Sequence, residues 1–88
     1  MVRAASIIHA LAVAGLRSVK FTPWSEEADA EIDLGQGVTV QLGRGYVIVN
    51  RWIEAEQAME HSLDRKTAEL SLIVADAKRM LADARAGH

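Results

Sequence analysis

The chain has 88 residues, which is room for one domain of ordinary size and no more. It contains no cysteine, which excludes disulfides and thiolate metal sites and agrees with a cytoplasmic location. Twelve acidic residues against ten basic ones give a net charge of −2, which disfavours nucleic acid as a partner because phosphate binding normally uses a basic face. Such a small domain buries a thin core, so a partner chain is the expected source of additional stability.

The first segment, residues 1–18, is predicted to be an α-helix. Ile7, Ile8 and Leu11 recur at helical spacing among alanines. Gly15 is expected to adopt the left-handed conformation that ends a helix. The segment has one basic residue only and a histidine inside its apolar run, so it departs from the pattern of a signal peptide, and it is shorter than the roughly 20 residues that cross a bilayer. We therefore expect an ordinary first helix and no membrane association.

Residues 19–30 are expected to be a connector, with a short fourth strand near 18–21. Thr22 and Pro23 have the features of a helix start, as N-cap and first helical residue. An extended acidic loop is the alternative for the same residues.

Residues 31–49 predict a three-stranded antiparallel meander. Apolar and polar residues alternate with period two along Val38–Leu42, and a G-x-G turn stands on each side of this strand. Pairing Ile32 with Val40 keeps the apolar residues on one face of the sheet and implies a three-residue first loop.

The opposite face of this sheet is a candidate binding surface for a partner protein. If the third strand turns Val47 and Val49 toward the core, its other side chains form an aromatic and apolar patch, a feature that often marks an interaction site. The alternative is that a helix of the same chain covers this face. The predicted patch consists of Tyr46, Ile48, Trp52, Thr39 and Gln41.

From residue 51 onward the sequence predicts one long amphipathic helix over 51–86, with a break near 61–66 as the alternative. As a single helix it would run about 54 Å, too long for a domain with a radius of gyration near 12 Å to cover. Its apolar seam is therefore predicted to join two copies of the chain as a homodimer. The seam residues are Met59, Leu63, Leu70, Ile73, Ala77, Met80 and Ala84.

Catalytic, cofactor and metal sites are not expected. Glu56, Glu60 and Asp64 with His61 would line one side of the predicted helix, where a solvated face is the simpler interpretation. Asp29, Glu31 and Asp33 resemble a calcium loop superficially, but glycine stands at the seventh rather than the sixth position and valine at the twelfth. The serines lack the glycine context of a nucleophile elbow.

The sequence thus predicts an α+β protein that is a non-enzymatic protein-interaction or structural module and self-associates through its C-terminal helix. A nucleic-acid-binding α-β-β-β-α domain that uses Arg44, Arg51, Lys20 and Arg17 is the first alternative. It is similar to double-stranded-RNA-binding domains in element order alone, and the acidic start of the last helix disfavours it. A small metal-binding protein or enzyme is the second alternative.

Overall fold

A computed structural model of the chain describes residues 2–23 and 30–86. The described elements form one antiparallel sheet in which every strand neighbours the next one along the chain, in the order β1-β2-β3-β4-β5. The elements are α1 (Ala4–Val13), β1 (Lys20–Pro23), β2 (Ala30–Asp33), β3 (Val38–Gly43), β4 (Tyr46–Ile53), β5 (Glu56–Asp64) and α2 (Leu70–Arg85). The α+β class is confirmed, whereas the predicted count of three or four strands is wrong because the sheet has five.

Helix α1 ends earlier than residue 18, at a glycine that the sequence identifies. Gly15 has φ +83°, and its N–H donates to the carbonyl of Ala12 at 3.0 Å. The N–H of Leu16 donates to the carbonyl of Leu11 at 2.8 Å. These two bonds form the Schellman motif, in which a left-handed residue satisfies the last carbonyls of a helix. The prediction for Gly15 is confirmed.

The centre of the sheet follows the predicted register. Ile32 pairs with Val40, and the N–H of Leu34 donates to the carbonyl of Val38 at 2.9 Å. The three-residue loop between them, residues 35–37, has positive φ at all three positions. Glycine adopts such angles without a steric cost, which explains the G-x-G sequence.

The connector predicted over residues 19–30 contains strand structure. Thr22 and Pro23 belong to β1 rather than to a helix start, and β1 occupies an edge of the sheet, where proline is tolerated because its missing N–H breaks no ladder bond. The fourth strand predicted near 18–21 corresponds to β1, displaced by about two residues. The remaining part of the predicted helix start and acidic loop, residues 24–29, lies outside the described residues.

The prediction of a helix over 51–86, continuous or broken near 61–66, is wrong for its first half. Strand β4 continues to Ile53, and Glu54 and Ala55 have φ of 50° and 68°, the left-handed pair of a two-residue hairpin turn. Strand β5 then pairs with β4 along its length, with an irregularity between Arg51 and Trp52. Helix-favouring residues such as Glu, Ala and Met fill β5, so intrinsic propensity pointed to the wrong structure and cross-strand pairing decided it.

Both helices pack on one face of the sheet and enclose the core there. Helix α1 contacts β2 and α2, and α2 contacts β3 and β4. Fully buried residues of α1 and α2 meet the alternate residues of the strands that point toward them. The apolar residues with no exposed surface are Ile7, Leu11, Ile32, Val38, Val40, Leu42, Val47, Val49, Ile73, Ala77 and Met80.

Candidate interaction surface on the open face of the sheet

The face of the sheet opposite to α1 and α2, here called the open face, carries the second set of alternating side chains. On β4 these are Tyr46, Ile48, Asn50 and Trp52, because Val47 and Val49 point into the core. Neither helix covers this face. Tyr46 is 36% exposed, and Ile48 and Trp52 are half-buried. The open face therefore presents apolar and aromatic side chains along β4, the fourth of the five strands, with the buried amide of Asn50 between Ile48 and Trp52.

A ladder of side-chain hydrogen bonds crosses the open face through four strands. The Gln41 side chain donates to the carboxylate of Glu31 at 2.9 Å, and the Asn50 side chain donates to Oε1 of Gln41 at 3.0 Å. The Gln57 side chain in turn donates to Oδ1 of Asn50. All three bonds run in one direction and end on a charged acceptor, an arrangement in which each bond polarises the next. The ladder fixes the rotamers of its members and so gives the open face a defined shape.

The two aromatic side chains of the open face are held in different ways, Tyr46 by its contact with a glycine and Trp52 by a hydrogen bond of its ring. Tyr46 lies opposite Gly43 in the register, and a Cβ at Gly43 would fall 1.9 Å from Cζ of the tyrosine. The ring therefore lies directly across the glycine backbone. Trp52 donates from its indole Nε1 to the hydroxyl of Thr39 at 3.3 Å, and its backbone N–H donates to the carbonyl of Gly37 at 2.7 Å. Both rings are thus positioned by the sheet itself.

Carboxylates lie on both sides of β4. Glu31 and Asp33 lie on β2, two strands from β4, while Glu60 and Asp64 lie on β5, its direct neighbour. Within the described strands, Lys20 of β1 is the basic residue that shares this face. The open face therefore carries its apolar row on β4, acidic residues on β2 and β5, and Lys20 beyond the β2 acids at the β1 edge.

The opposite side of β4 and β5 is tied to α2 by one ion pair and one hydrogen bond between side chains. Arg51, only 5% exposed, pairs with Asp83, and His61 pairs with Asp76. Buried Arg51 Nε finds no hydrogen-bond partner within residues 2–23 and 30–86. A buried charge is tolerated when it is paired. These contacts hold α2 against the core side of β4 and β5, opposite to the open face.

The predicted dimer seam is divided between core and surface of the same chain. Ile73, Ala77 and Met80 have no exposed surface and contact the sheet. Met59 and Leu63 belong to β5 rather than to a helix and, like Leu70, pack partly buried against this core. Ala84 is half-buried on α2. The seam thus supplies the contact that folds α2 onto its own sheet.

The predicted sheet patch, by contrast, is brought together on one face. Tyr46, Ile48 and Trp52 lie along β4, with Thr39 and Gln41 beside them on β3. Thr39 is nearly buried, at 7% exposed.

The ladder through Asn50 and Gln57 is not identified from the sequence, because Asn50 follows the last predicted strand and Gln57 lies within the helix predicted over 51–86. The alternation of Ile48, Asn50 and Trp52 against Val49 and Arg51 was the available signal.

The residues considered for metal or nucleic-acid binding are dispersed. Glu60 and His61 point to opposite faces of β5, and His61 is engaged with Asp76. In the described part of the chain, no three histidine, aspartate or glutamate residues are grouped so that they could hold a metal ion. Asp29 of the superficial calcium pattern lies outside that part. Arg51 is buried under α2, away from any surface that would meet a phosphate.

A shallow pocket of about 270 Å³ lies between the end of α1, the β2–β3 loop and α2. Leu16, Leu34 and Leu81 line it, with the exposed residues Arg17 and Arg85 at its rim. Its volume is just below the range of roughly 300–1,000 Å³ that is usual for small-molecule sites, and we assign it no ligand.

No family model, curated protein or solved structure matches this chain. In the described residues, neither α1 nor α2 combines the length and the apolar content that a membrane-spanning helix requires.

Proposed function

We propose that this chain is a small, non-enzymatic protein-interaction module that binds a partner protein on the open face of its sheet. The observation that carries the proposal is the row of large side chains on β4, Tyr46, Ile48 and Trp52, which neither helix covers. In a two-layer α+β fold the second face of a sheet is normally polar where it faces water, so an aromatic and apolar row there favours contact with another molecule.

The rigidity of the open face supports the same proposal. A partner that meets a fixed surface loses less conformational entropy on the module's side of the interface. The ladder from Glu31 to Gln57, the contact of the Tyr46 ring with Gly43 and the hydrogen bond from the Trp52 ring to Thr39 supply this fixed surface. Tyrosine and tryptophan are also enriched among the residues that dominate binding energy at protein interfaces.

Self-association through the C-terminal seam stays a prediction and is not part of this proposal. Because Ile73, Ala77 and Met80 are fully buried in their own chain, a dimer that used them would have to expose that core first. The nucleic-acid alternative gains no support either, since carboxylates surround the open face and Arg51 is buried.

Site-specific photo-crosslinking in the cells of origin tests the proposal. A photoreactive residue replaces Ser62, which is exposed on the open face directly opposite Ile48, or, as the matched control, Ser71, which is exposed on α2. We expect a protein adduct from position 62 that position 71 does not give. The adduct should disappear with Ile48→Lys and persist with Leu72→Lys, a change at an exposed residue of α2. Identical adducts from both positions, or none from position 62, would contradict the proposal.

A further inference from the structure

We infer that the partner of the open face is a basic amphipathic α-helix, laid along β4 with its apolar stripe on Tyr46, Ile48 and Trp52 and its lysines or arginines on both flanks. This inference rests on the proposed function and adds the chemical class of the partner. It follows from the dimensions of the apolar row, from the arrangement of the carboxylates and from the net charge of the face.

The apolar row matches a helix of about four turns. Tyr46 and Trp52 are six residues apart on one strand, which is roughly 20 Å at about 3.3 Å per residue. A helix covers that distance in about 13 residues at 1.5 Å per residue. An apolar stripe with the i, i+3, i+4, i+7 spacing would therefore stay in contact with the row from one end to the other.

The carboxylates lie where the flanks of such a helix would be. The acids of β5, Glu60 and Asp64, are about 5 Å to one side of β4, and those of β2, Glu31 and Asp33, are about 10 Å to the other side, at the usual strand spacing. A helix with its side chains is about 10–12 Å wide. Lysine and arginine stems are long enough to reach outward from its edges to both groups of acids.

The charge of the open face also argues against a second copy of this chain as its occupant. A symmetric dimer formed through this face would bring together two copies of a surface whose strands carry four carboxylates and one lysine, and like net charges brought together at an interface are repulsive. A basic partner turns the same acids into a favourable interaction and excludes acidic competitors.

Two designed 16-residue peptides test this inference by fluorescence anisotropy with the full chain. Both carry leucine at helical i, i+3, i+4, i+7 spacing and a terminal fluorophore, and they differ only in having lysine or glutamate at every flanking position. We expect the lysine peptide to bind at least tenfold more tightly than the glutamate peptide, and its affinity to fall as salt is raised from 50 to 300 mM.

A matched pair of variants locates the binding. Glu60→Gln/Asp64→Asn removes two carboxylates from the open face and should weaken the lysine peptide about three- to tenfold, as expected for two ion pairs at an interface rim. Glu54→Gln/Glu56→Gln removes the same charge from the β4–β5 turn and the first residue of β5, and should change the affinity less than twofold. Circular dichroism and thermal unfolding verify that both variants are folded.

Three results would overturn the inference. They are equal binding of the two peptides, equal losses in the two double variants, and a dimer in sedimentation equilibrium that Ile48→Lys dissociates, which would assign the face to a second copy. The proposed function is judged separately. An adduct from position 62 together with no preference for the lysine peptide would retain the interaction module and reject a basic helix as its partner.

Discussion

Asn50 is the residue on which the open face depends most. It has no exposed surface although it lies on the face that the helices leave uncovered. Its side chain donates to Gln41 and accepts from Gln57, so both functional groups of the amide are satisfied. A buried amide is costly without such partners, and this one is stabilised by the two glutamines of neighbouring strands.

We predict that Asn50→Leu lowers the free energy of unfolding by about 1–2 kcal/mol, because it leaves half-buried Gln41 Oε1 without its donor, whereas exposed Gln57 can bond to water instead. Urea denaturation measures the loss. Ser62→Ala, at an exposed position of the same face, is the control and should stay within about 0.5 kcal/mol of the unmodified chain. Similar values for the two variants would show that the ladder does not stabilise the fold.

At the scale of elements, the β4–β5 hairpin is the feature that sequence reasoning missed. Glu54 and Ala55 both adopt positive φ, although neither is a residue that favours the left-handed region. The turn therefore carries no Asn-Gly or Asp-Gly signal, and the glutamates around it favour a helix instead. Backbone pairing along β5 holds the turn in place against these local preferences.

We expect Glu54→Asn/Ala55→Gly to raise the free energy of unfolding by about 1–2 kcal/mol, because it supplies the residues that a two-residue turn with positive φ prefers. Thermal and urea unfolding provide the measurement. Lys78→Gly in the exposed part of α2 is the helical reference and should lower stability by about 1 kcal/mol. If the turn variant also lost stability, the result would contradict the positive φ angles of residues 54 and 55.

At the scale of the whole molecule, the apolar stripe of α2 contacts the sheet of its own chain. The stripe on α2 packs on β3 and β4, and Arg51 and His61 pair with Asp83 and Asp76 beside it. The radius of gyration is 11.9 Å, close to the value of about 12 Å expected for a compact chain of this length. Shortening the helix to Leu70–Arg85 makes it short enough for its own sheet to cover.

Met80→Ala should therefore lower the free energy of unfolding by about 2–5 kcal/mol, as for other truncations of fully buried side chains. The loss should be the same at two protein concentrations tenfold apart, since the contact is made within one chain. Leu72→Ala, at a side chain 42% exposed, serves as control with an expected loss below about 1 kcal/mol. A loss that shrinks as concentration rises would instead place Met80 between copies.

The sequence by itself determined the parts of the molecule that depend on local patterns. Gly15 ends α1, the G-x-G loop at 35–37 joins β2 to β3, and Ile32 pairs with Val40. These features depend on positive φ at glycine and on period-two alternation, which involve residues close together in the sequence. The aromatic patch of Tyr46, Ile48 and Trp52 followed from the same alternation.

Only the tertiary structure shows that residues 51–69 form strands and turns rather than a helix, and that the apolar stripe of α2 packs within its own chain. Met59, His61 and Leu63 alternate with Glu60, Ser62 and Asp64, but their residue types favour a helix, and only pairing with β4 resolves the conflict. Likewise, the open face became identifiable once both helices were found on the other side of the sheet. Such long-range contacts join residues far apart in sequence, so no local pattern along the chain could have fixed them.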